Sequence, residues 1–490
     1  MTLKDLLSPL VTDLSGVPQR EISHLTERAS EAHSDSLFVC IRGLRADGHD
    51  YALTAYENGC RCFVAEKELP LPKDAHVLRV KSSRKALGIL ASRFYGNPSE
   101  RLKVIGITGT KGKTTTAQML TRILNHAGIF CGYVGTNGIT YGSVQKQTKN
   151  TTPDAVTLQR TFYEMAEAGM QAVVLEVSSQ AILQHRLTGT SVFCALFTNF
   201  SHDHVGIGEH TSVKDYFACK KRLFEDFGAQ SAVLNADDDA SARILADSPI
   251  QTRVSCSVNA CADYTAERIE PTFLYNGLGS RFSVCHDGKS LSMTLPMLGS
   301  INVSNALLAL ATANAVFGIP LLDCANALSD VSVAGRCEAL PLPNGAWVVI
   351  DYAHNGVSLT ELLRSLRAYQ PSRLLCLFGS VGERTQIRRS ELGDAAASLC
   401  DLCILTSDNP ANEDPEQIIA QISRSFEGSS TPYFCIPDRE EAILFAVRQT
   451  EKGDILVLAG KGHEDYQLIG GEMRPFCERD IVRSALSLQA

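Results

Sequence analysis

The sequence has little to suggest a membrane span. Its most apolar stretch, residues 306–317, is interrupted by Thr312 and Asn314 and falls short of the roughly 20 residues a span needs. Residues 1–11 carry Lys4 and Asp5 and lack the apolar core of a signal peptide. There is no excess of positive charge: Lys+Arg 46 against Asp+Glu 54 leaves a formal net charge of −8, which excludes a nucleic-acid protein held by bulk electrostatics. Repeats and low-complexity segments are missing too. The sixteen cysteines lack the dense spacing of a disulfide scaffold. Cys400 and Cys403 form a Cys-x-x-Cys, open to a redox or half-zinc reading, but burial as reduced core thiols is the expectation. These absences point to a cytoplasmic protein that inserts in no membrane and binds no nucleic acid.

What is present is an α/β chain. Apolar residues at 44% and charged residues at 20% match a soluble globular protein, and at ~150 residues per domain the length suggests about three domains. Apolar strand-like runs alternate with amphipathic helices. A turn cluster at Gly96-Asn97-Pro98-Ser99 and a restart near Val333-Ala334-Gly335-Arg336 divide the chain into 1–97, 98–333 and 334–490. Strands are expected at 102–107, 172–177, 193–200 and 231–234, and a helix at 306–317 stopped by Gly318 and Pro320. In the last segment four runs, 347–350, 374–378, 402–405 and 454–458, each lead into polar or glycine-rich residues. Ordinary strand-to-helix turns end this way as well, but four in one domain point to a ligand crevice at the strand ends.

The sharpest motif is Gly109-Thr110-Lys111-Gly112-Lys113-Thr114-Thr115, between an apolar strand and a helix with Met119, Leu120, Ile123 and Leu124 on one face. Glycines let backbone N–H groups curl around phosphate, Lys113 supplies a point charge, and Thr114 or Thr115 offers a hydroxyl to Mg²⁺. The spacing is not a full Walker motif, because Ile107 stands where its first glycine would. Glu176 ends the run Val173-Val174-Leu175, where a carboxylate needs a structural hydrogen bond or a cation. His204 follows Asp203 beyond another apolar run and reads as either a core histidine or a ligand.

This loop resembles the phosphate loop of the Mur ligases and folylpolyglutamate synthases, and further blocks follow in that family's order. They are Asn150-Thr151-Thr152-Pro153, Glu176-Val177-Ser178-Ser179 with Gln184-His185-Arg186, Thr198-Asn199 with Asp203-His204, and Asn235-Ala236-Asp237-Asp238. Residues 299–305, Gly335-Arg336-Cys337-Glu338, Asp351-Tyr352-Ala353-His354 and Gly460-Lys461-Gly462-His463-Glu464 complete the set. The likeness is strongest to Mur ligases that add the third stem-peptide residue.

That resemblance implies three α/β domains: an N-terminal uridine-nucleotide-binding domain, a central P-loop ATPase-like domain and a C-terminal Rossmann-like domain that binds an amino acid. It implies ATP at residues 109–115 with Asn302, Arg336 and Asp351. It implies Mg²⁺ on Thr114, Thr115, Glu176, His204 and Lys220, the last in the segment whose lysine is carbamylated in the family. Lys113, Lys220 and His204 are the implied catalytic set. A UDP-muramyl-dipeptide would meet Thr26, Arg28, Asn150, Thr151, Thr152, Ser178, Gln184 and Arg186. The incoming diamino acid would meet Arg389, Asp408, Asn409, Ala411, Gly460 and Glu464. The implied reaction is ATP-dependent amide formation through an acyl phosphate, run by a monomer on small-molecule substrates.

The chain departs from the family pattern in three places. Asp203-His204 is followed by Val205-Gly206-Ile207-Gly208-Glu209-His210 where the family has Asp-His-Leu-Asp-x-His-Gly, so two extra residues precede Lys220 and the roles of Glu209 and His210 stay open. Thr26-Glu27-Arg28 replaces Asp-Ser-Arg, and the Arg384 loop lacks a lysine often found there. The fourth position of the amino-acid loop is Ala411, where diaminopimelate enzymes carry an arginine for the distal carboxylate. Lysine is therefore the expected amino acid, with meso-diaminopimelate second and ornithine third. A folylpolyglutamate synthase and an inactive Mur-like partner are the rival readings.

Overall fold

A computed structural model describes the chain except for residues 44–45, 202–209, 276, 332, 334, 336, 384–386 and 488–490. The fold forms two compact units, Met1–Thr265 with Asn305–Cys324, and Ala266–Ser304 with Ala325–Ala490.

The first unit holds two sheets. A four-stranded parallel sheet takes His24–Thr26, Ser36–Val39, Cys62–Ala65 and His76–Arg79 in that order. Helix Ser83–Phe94 starts at Ser82, whose side chain accepts from Lys85 N, and buries Ala86, Leu87, Leu90 and Ala91. The larger sheet runs Val144–Lys146, Gly138–Tyr141, Cys131–Gly135, Ala172–Glu176, Lys103–Thr108, Cys194–Phe197, Ser231–Asn235, Thr252–Ser257. The strands from Cys131–Gly135 to Thr252–Ser257 are parallel and Gly138–Tyr141 and Val144–Lys146 pair antiparallel; the central strands are mainly apolar, as expected of a parallel sheet covered on both faces. The register sets Ile107 beside Glu176 and Thr108 beside Phe197. The carboxyl ends of three adjacent strands therefore stop at one level, and the chemistry-bearing residues follow them directly.

The second unit is built on a six-stranded sheet ordered Glu338–Pro341, Trp347–Asp351, Ile455–Ala459, Leu374–Phe378, Leu402–Leu405, Tyr433–Cys435. The first pair is antiparallel and the rest parallel. Asp351, Ser407-Asp408 and Gly460 all lie at the carboxyl ends. Two of those ends are tied together by Arg439, which is 1% exposed and donates to Ser407 O at 3.0 Å, to Ala459 O at 2.8 Å and to Glu478 Oε1 at 2.8–2.9 Å.

Several expectations shift on contact with the structure. The strands expected at 193–200 and 454–458 are Cys194–Phe197 and Ile455–Ala459, because hydrogen-bond register, not hydropathy, sets their ends. The helix expected at 306–317 begins earlier, at Ser300. At that length it is apolar enough to cross a membrane by composition, yet 61% of it is buried, as in a core helix. Strand Tyr264–Leu274 was not foreseen: half-exposed and exposed positions run through it, so no apolar run marks it. All sixteen cysteines are free, in line with the reduced core expected from their scatter, and Cys376 and Cys403 are register partners on neighbouring strands.

Removing one member of a buried ion pair leaves the other charge uncompensated, at a cost of about 3–5 kcal/mol. Arg439→Ala should therefore destabilise the second unit by that amount. The single tryptophan, Trp347, sits in this sheet, so its fluorescence in a urea titration reports the loss. An unchanged midpoint would count against the tie.

Candidate active site

The phosphate loop is shaped by two glycines at positive φ, where a side chain would be strained and crowded. Gly109 has φ +151° and Gly112 φ +81°; a Cβ would lie 1.9 Å from Thr198 Oγ1 at the first and 2.3 Å from Asn305 Oδ1 at the second. Thr198-Asn199 clamps the loop from the neighbouring strand: Thr198 Oγ1 donates to Lys111 O at 2.6 Å, Lys111 N to Asn199 Oδ1 at 2.9 Å, and Thr110 N to Asn199 O at 2.8 Å. Helix Lys113–His126 starts here with Gly112 as its cap, so a helix amino end with its positive dipole faces the cradle. Lys113 Nζ folds over the loop, donating to Gly109 O and Thr110 O at 2.9 Å each.

Glu176 is fully buried beside this helix. Its carboxylate accepts from Tyr133 OH at 2.5 Å, Thr114 Oγ1 at 2.9 Å, Thr136 N at 3.1 Å and Thr136 Oγ1 at 3.2 Å. Burial, then the Glu176 charge and hydrogen bond, raise the Tyr133 hydroxyl far above the ordinary phenol range, so it stays a donor. A buried carboxylate with a threonine hydroxyl is an all-oxygen donor set of the kind Mg²⁺ takes, and the site fits that ion. Lys220, 1% exposed, donates to Gly109 O at 2.7 Å and lies over the Tyr216 ring. Thr115 is buried in the same helix turn. His204 lies outside the described residues.

The residues expected to meet the muramyl substrate surround Thr152 or lie in the N-terminal sheet. Thr152 Oγ1 donates to Glu176 O at 2.8 Å and accepts from Ser178 N at 3.0 Å, and Thr151 Oγ1 is 3.1 Å from Thr136 Oγ1. Arg186 donates to Thr152 O at 2.7 Å and to Gln184 Oε1 at 2.8 Å. Asn150 is exposed. Thr26 ends its strand and accepts from Arg28 N, while Arg28 pairs with Glu31 at the surface. Glu27, set aside at the sequence level, is raised by burial and by Asp154, with Arg84, Arg28 and Arg186 opposing. It belongs to a charged cluster that includes Arg186.

In the second unit, Asp351 accepts from Cys337 N and Ala353 N at 2.8 Å each, and Asn302 donates to Leu298 O at 2.9 Å and to Cys337 Sγ. Both converge on Cys337; Arg336 is outside the described residues. Further along the same sheet edge, Asn409 donates to Glu464 at 2.9 Å. Buried Lys461 lies among Asn409 Oδ1 at 2.9 Å, Glu464 at 3.1 Å and Asp408 at 3.7 Å. A Cβ on Gly460 would approach Asp408 Oδ2 to 2.8 Å. Ala411 is buried at φ +55° and donates to Leu468 O. Arg389 stands apart from this cluster. It is buried and donates to Glu413 at 2.7 Å and to Gln421 at 2.8 Å.

Comparison with known proteins gives the family. Residues 21–95 match the Mur ligase family catalytic domain, 107–313 the Mur ligase middle domain and 335–462 the Mur ligase glutamate ligase domain. The UDP-N-acetylmuramoyl-L-alanyl-D-glutamate–2,6-diaminopimelate ligase of Caldanaerobacter subterraneus subsp. tengcongensis is 36% identical over 487 residues, 99% of each chain. The chain belongs to the Mur ligase family. The ligase of the same name from Geobacillus thermodenitrificans is 37% identical over 92% of each chain. A solved structure of such a ligase superposes with a TM-score of 0.74 at 29% identity, over 100% of this chain and 99% of that one.

Sequence reasoning on this Mur ligase passed over Tyr133 and Thr136. They flank Gly135, where a Cβ would meet Glu176 Oε1 at 2.2 Å, so the glycines of the run Cys131–Gly135 were the available signal. The two glycines at positive φ give a test: in Gly128 (φ +80°) a Cβ meets nothing within 4 Å, so alanine there costs only left-handed strain, roughly 1–2 kcal/mol. Gly128→Ala should bind ATP normally in calorimetry. Gly112→Ala, which drives a methyl into Asn305, should lose nucleotide binding; equal affinities would refute the cradle.

Proposed function

We propose that this Mur ligase joins a diamino acid, L-lysine, to UDP-N-acetylmuramoyl-L-alanyl-D-glutamate, in peptidoglycan precursor synthesis. Residues 1–97 hold the uridine nucleotide, 98–333 hold ATP, and 334–490 hold the amino acid. The observation that carries the reading is buried Glu176, hydrogen-bonded to Thr114 of the phosphate helix and hard by the Thr152 cluster. One residue thus meets the nucleotide loop through its carboxylate and the acyl-substrate pocket through its main-chain carbonyl, which accepts from Thr152 Oγ1. The reaction transfers the γ-phosphoryl group of ATP to a D-glutamate carboxylate oxygen, giving ADP and an acyl phosphate. An amino group of the diamino acid then attacks the carbonyl carbon, loses a proton and expels phosphate. The enzyme works as a monomer in the cytoplasm.

Phosphoryl transfer needs position and charge neutralisation more than covalent help. Lys113 and the loop N–H groups supply both. Thr114 or Thr115, Glu176, His204 and a carbamylated Lys220 would hold Mg²⁺, whose contribution is to neutralise charge on the phosphates. Lys220 sits buried against the loop carbonyl of Gly109, and the family resemblance makes its nitrogen the one that adds CO₂ to become an anion. Lys220→Ala should therefore lose turnover and regain part of it with added formate or acetate. An active enzyme whose intact mass and density show plain lysine at ambient CO₂ would refute the carbamate.

For the amino acid, the pocket favours a distal ammonium. Asp408 and Glu464 set two carboxylates against the single buried Lys461, Ala411 offers no cation, and Glu413 already neutralises Arg389. The second reading is meso-diaminopimelate, favoured by the names of the relatives above. An amino-acid panel of L-lysine, meso-diaminopimelate and L-ornithine with phosphate release as readout decides it. A carboxylate denied a charged partner forgoes about 1.5–3 kcal/mol, so kcat/KM for L-lysine should exceed that for meso-diaminopimelate by at least about tenfold. Preference for meso-diaminopimelate would overturn the specificity and leave the ligase reading intact; turnover of folate with glutamate would overturn both.

A further inference from the structure

We infer that His210, Asp215 and Cys219 form a site for a zinc-class transition metal, separate from the Mg²⁺ site and independent of which amino acid is ligated. One ligand atom from each residue lies within 4.8 Å of the other two. His210 and Cys219 are buried, at 1% and 4% exposure, while Asp215 reaches solvent. The placement follows from local structure. Ser212 caps helix Val213–Lys221 by accepting from Asp215 N. Within that helix Asp215 and Cys219 are four apart and share a face. His210 enters just before the cap and lies over the same turn, its ring 5.1 Å from that of Tyr216.

The outer contacts are those a metal-binding histidine needs. Nε2 of His210 lies 2.8 Å from Ser179 Oγ, which turns Nδ1 to Asp215 Oδ2 at 3.4 Å. A ligating imidazole ordinarily has its second nitrogen held in this way. Asp215 Oδ2 is itself fixed by Thr211 N at 3.2 Å and Thr211 Oγ1 at 3.4 Å. Bonds of about 2.0–2.3 Å in a tetrahedral zinc site set ligand atoms roughly 3.3–3.7 Å apart. Small side-chain rotations therefore close the triad, with a water from the Asp215 side as fourth ligand. The imidazole, carboxylate and thiolate set suits zinc or cobalt, whereas Mg²⁺ takes oxygen. Binding forms a metal–sulfur bond and releases the Cys219 thiol proton to solvent.

The site adjoins the chemistry. Cys219 precedes Lys220, and Tyr216 OH lies 3.2 Å from Thr110 Oγ1 of the phosphate loop. An ion that draws His210, Asp215 and Cys219 together acts on the helix that carries Lys220, so zinc should inhibit ligation.

The test uses the full chain, stripped by a chelator and titrated with Co²⁺ without nucleotide or Mg²⁺. The expected result is one equivalent bound with a near-ultraviolet sulfur-to-cobalt charge-transfer band, abolished by Zn²⁺. Cys219→Ser should lose the band, and Asp215→Asn should weaken binding by about tenfold or more. Cys261→Ser, at an exposed cysteine, should retain it. Circular dichroism confirms that each variant is folded, and Asp215→Asn stands in if Cys219→Ser is not. No band in the wild-type chain, a band that survives Cys219→Ser, or one that Asp215→Asn leaves at full affinity would overturn the site.

Discussion

The cost of burying the Glu176 carboxylate organises the active centre. A charge at the end of an apolar strand, fully removed from solvent, is tolerated only with several donors or a cation. The sequence meets that demand from two directions: Tyr133 and Thr136 come from the end of the strand on one side, and Thr114 comes from the helix after the glycine loop on the other. The main-chain carbonyl of Glu176 separately accepts from the Thr152 hydroxyl, so the 109–115 loop and the Thr152 loop are both fixed on one residue.

The loop depends on that arrangement as much as the carboxylate does. Gly109 and Gly112 adopt positive-φ conformations that strain a side chain and press against Thr198 and Asn305, and Thr198-Asn199 holds the intervening backbone. The neighbouring parallel strands supply these contacts because their register brings Thr108, Glu176 and Phe197 to one level. In the second unit Arg439 serves a comparable purpose. One guanidinium receives its charge balance from Glu478 and fastens the strand ends that carry Asp408 and Gly460. In both units a polar group in the interior positions the residues at the sheet edge.

How far the sequence discloses this depends on the range of the forces involved. The phosphate loop was legible because its requirement, φ above zero beside a helix start, is local and written in glycine. The alternation of apolar strands and helices was legible for the same reason. Strand Tyr264–Leu274 was not, since its exposed faces give no apolar run. Tyr133 escaped notice because its meaning comes from Glu176, tens of residues away. Arg389 was read as an amino-acid contact from its place in a family segment, and its pairing with Glu413 and Gln421 emerges only in three dimensions.

The central claim is that a D-glutamate carboxylate is phosphorylated before the amine attacks. The direct measurement supplies UDP-N-acetylmuramoyl-L-alanyl-D-glutamate carrying ¹⁸O in the glutamyl side-chain carboxylate, with ATP and L-lysine, and analyses the released phosphate by mass spectrometry. An acyl phosphate hands one carboxylate oxygen to the phosphate, so the account predicts one ¹⁸O in each phosphate formed from doubly labelled substrate. Unlabelled phosphate, with tripeptide product still formed, would contradict it.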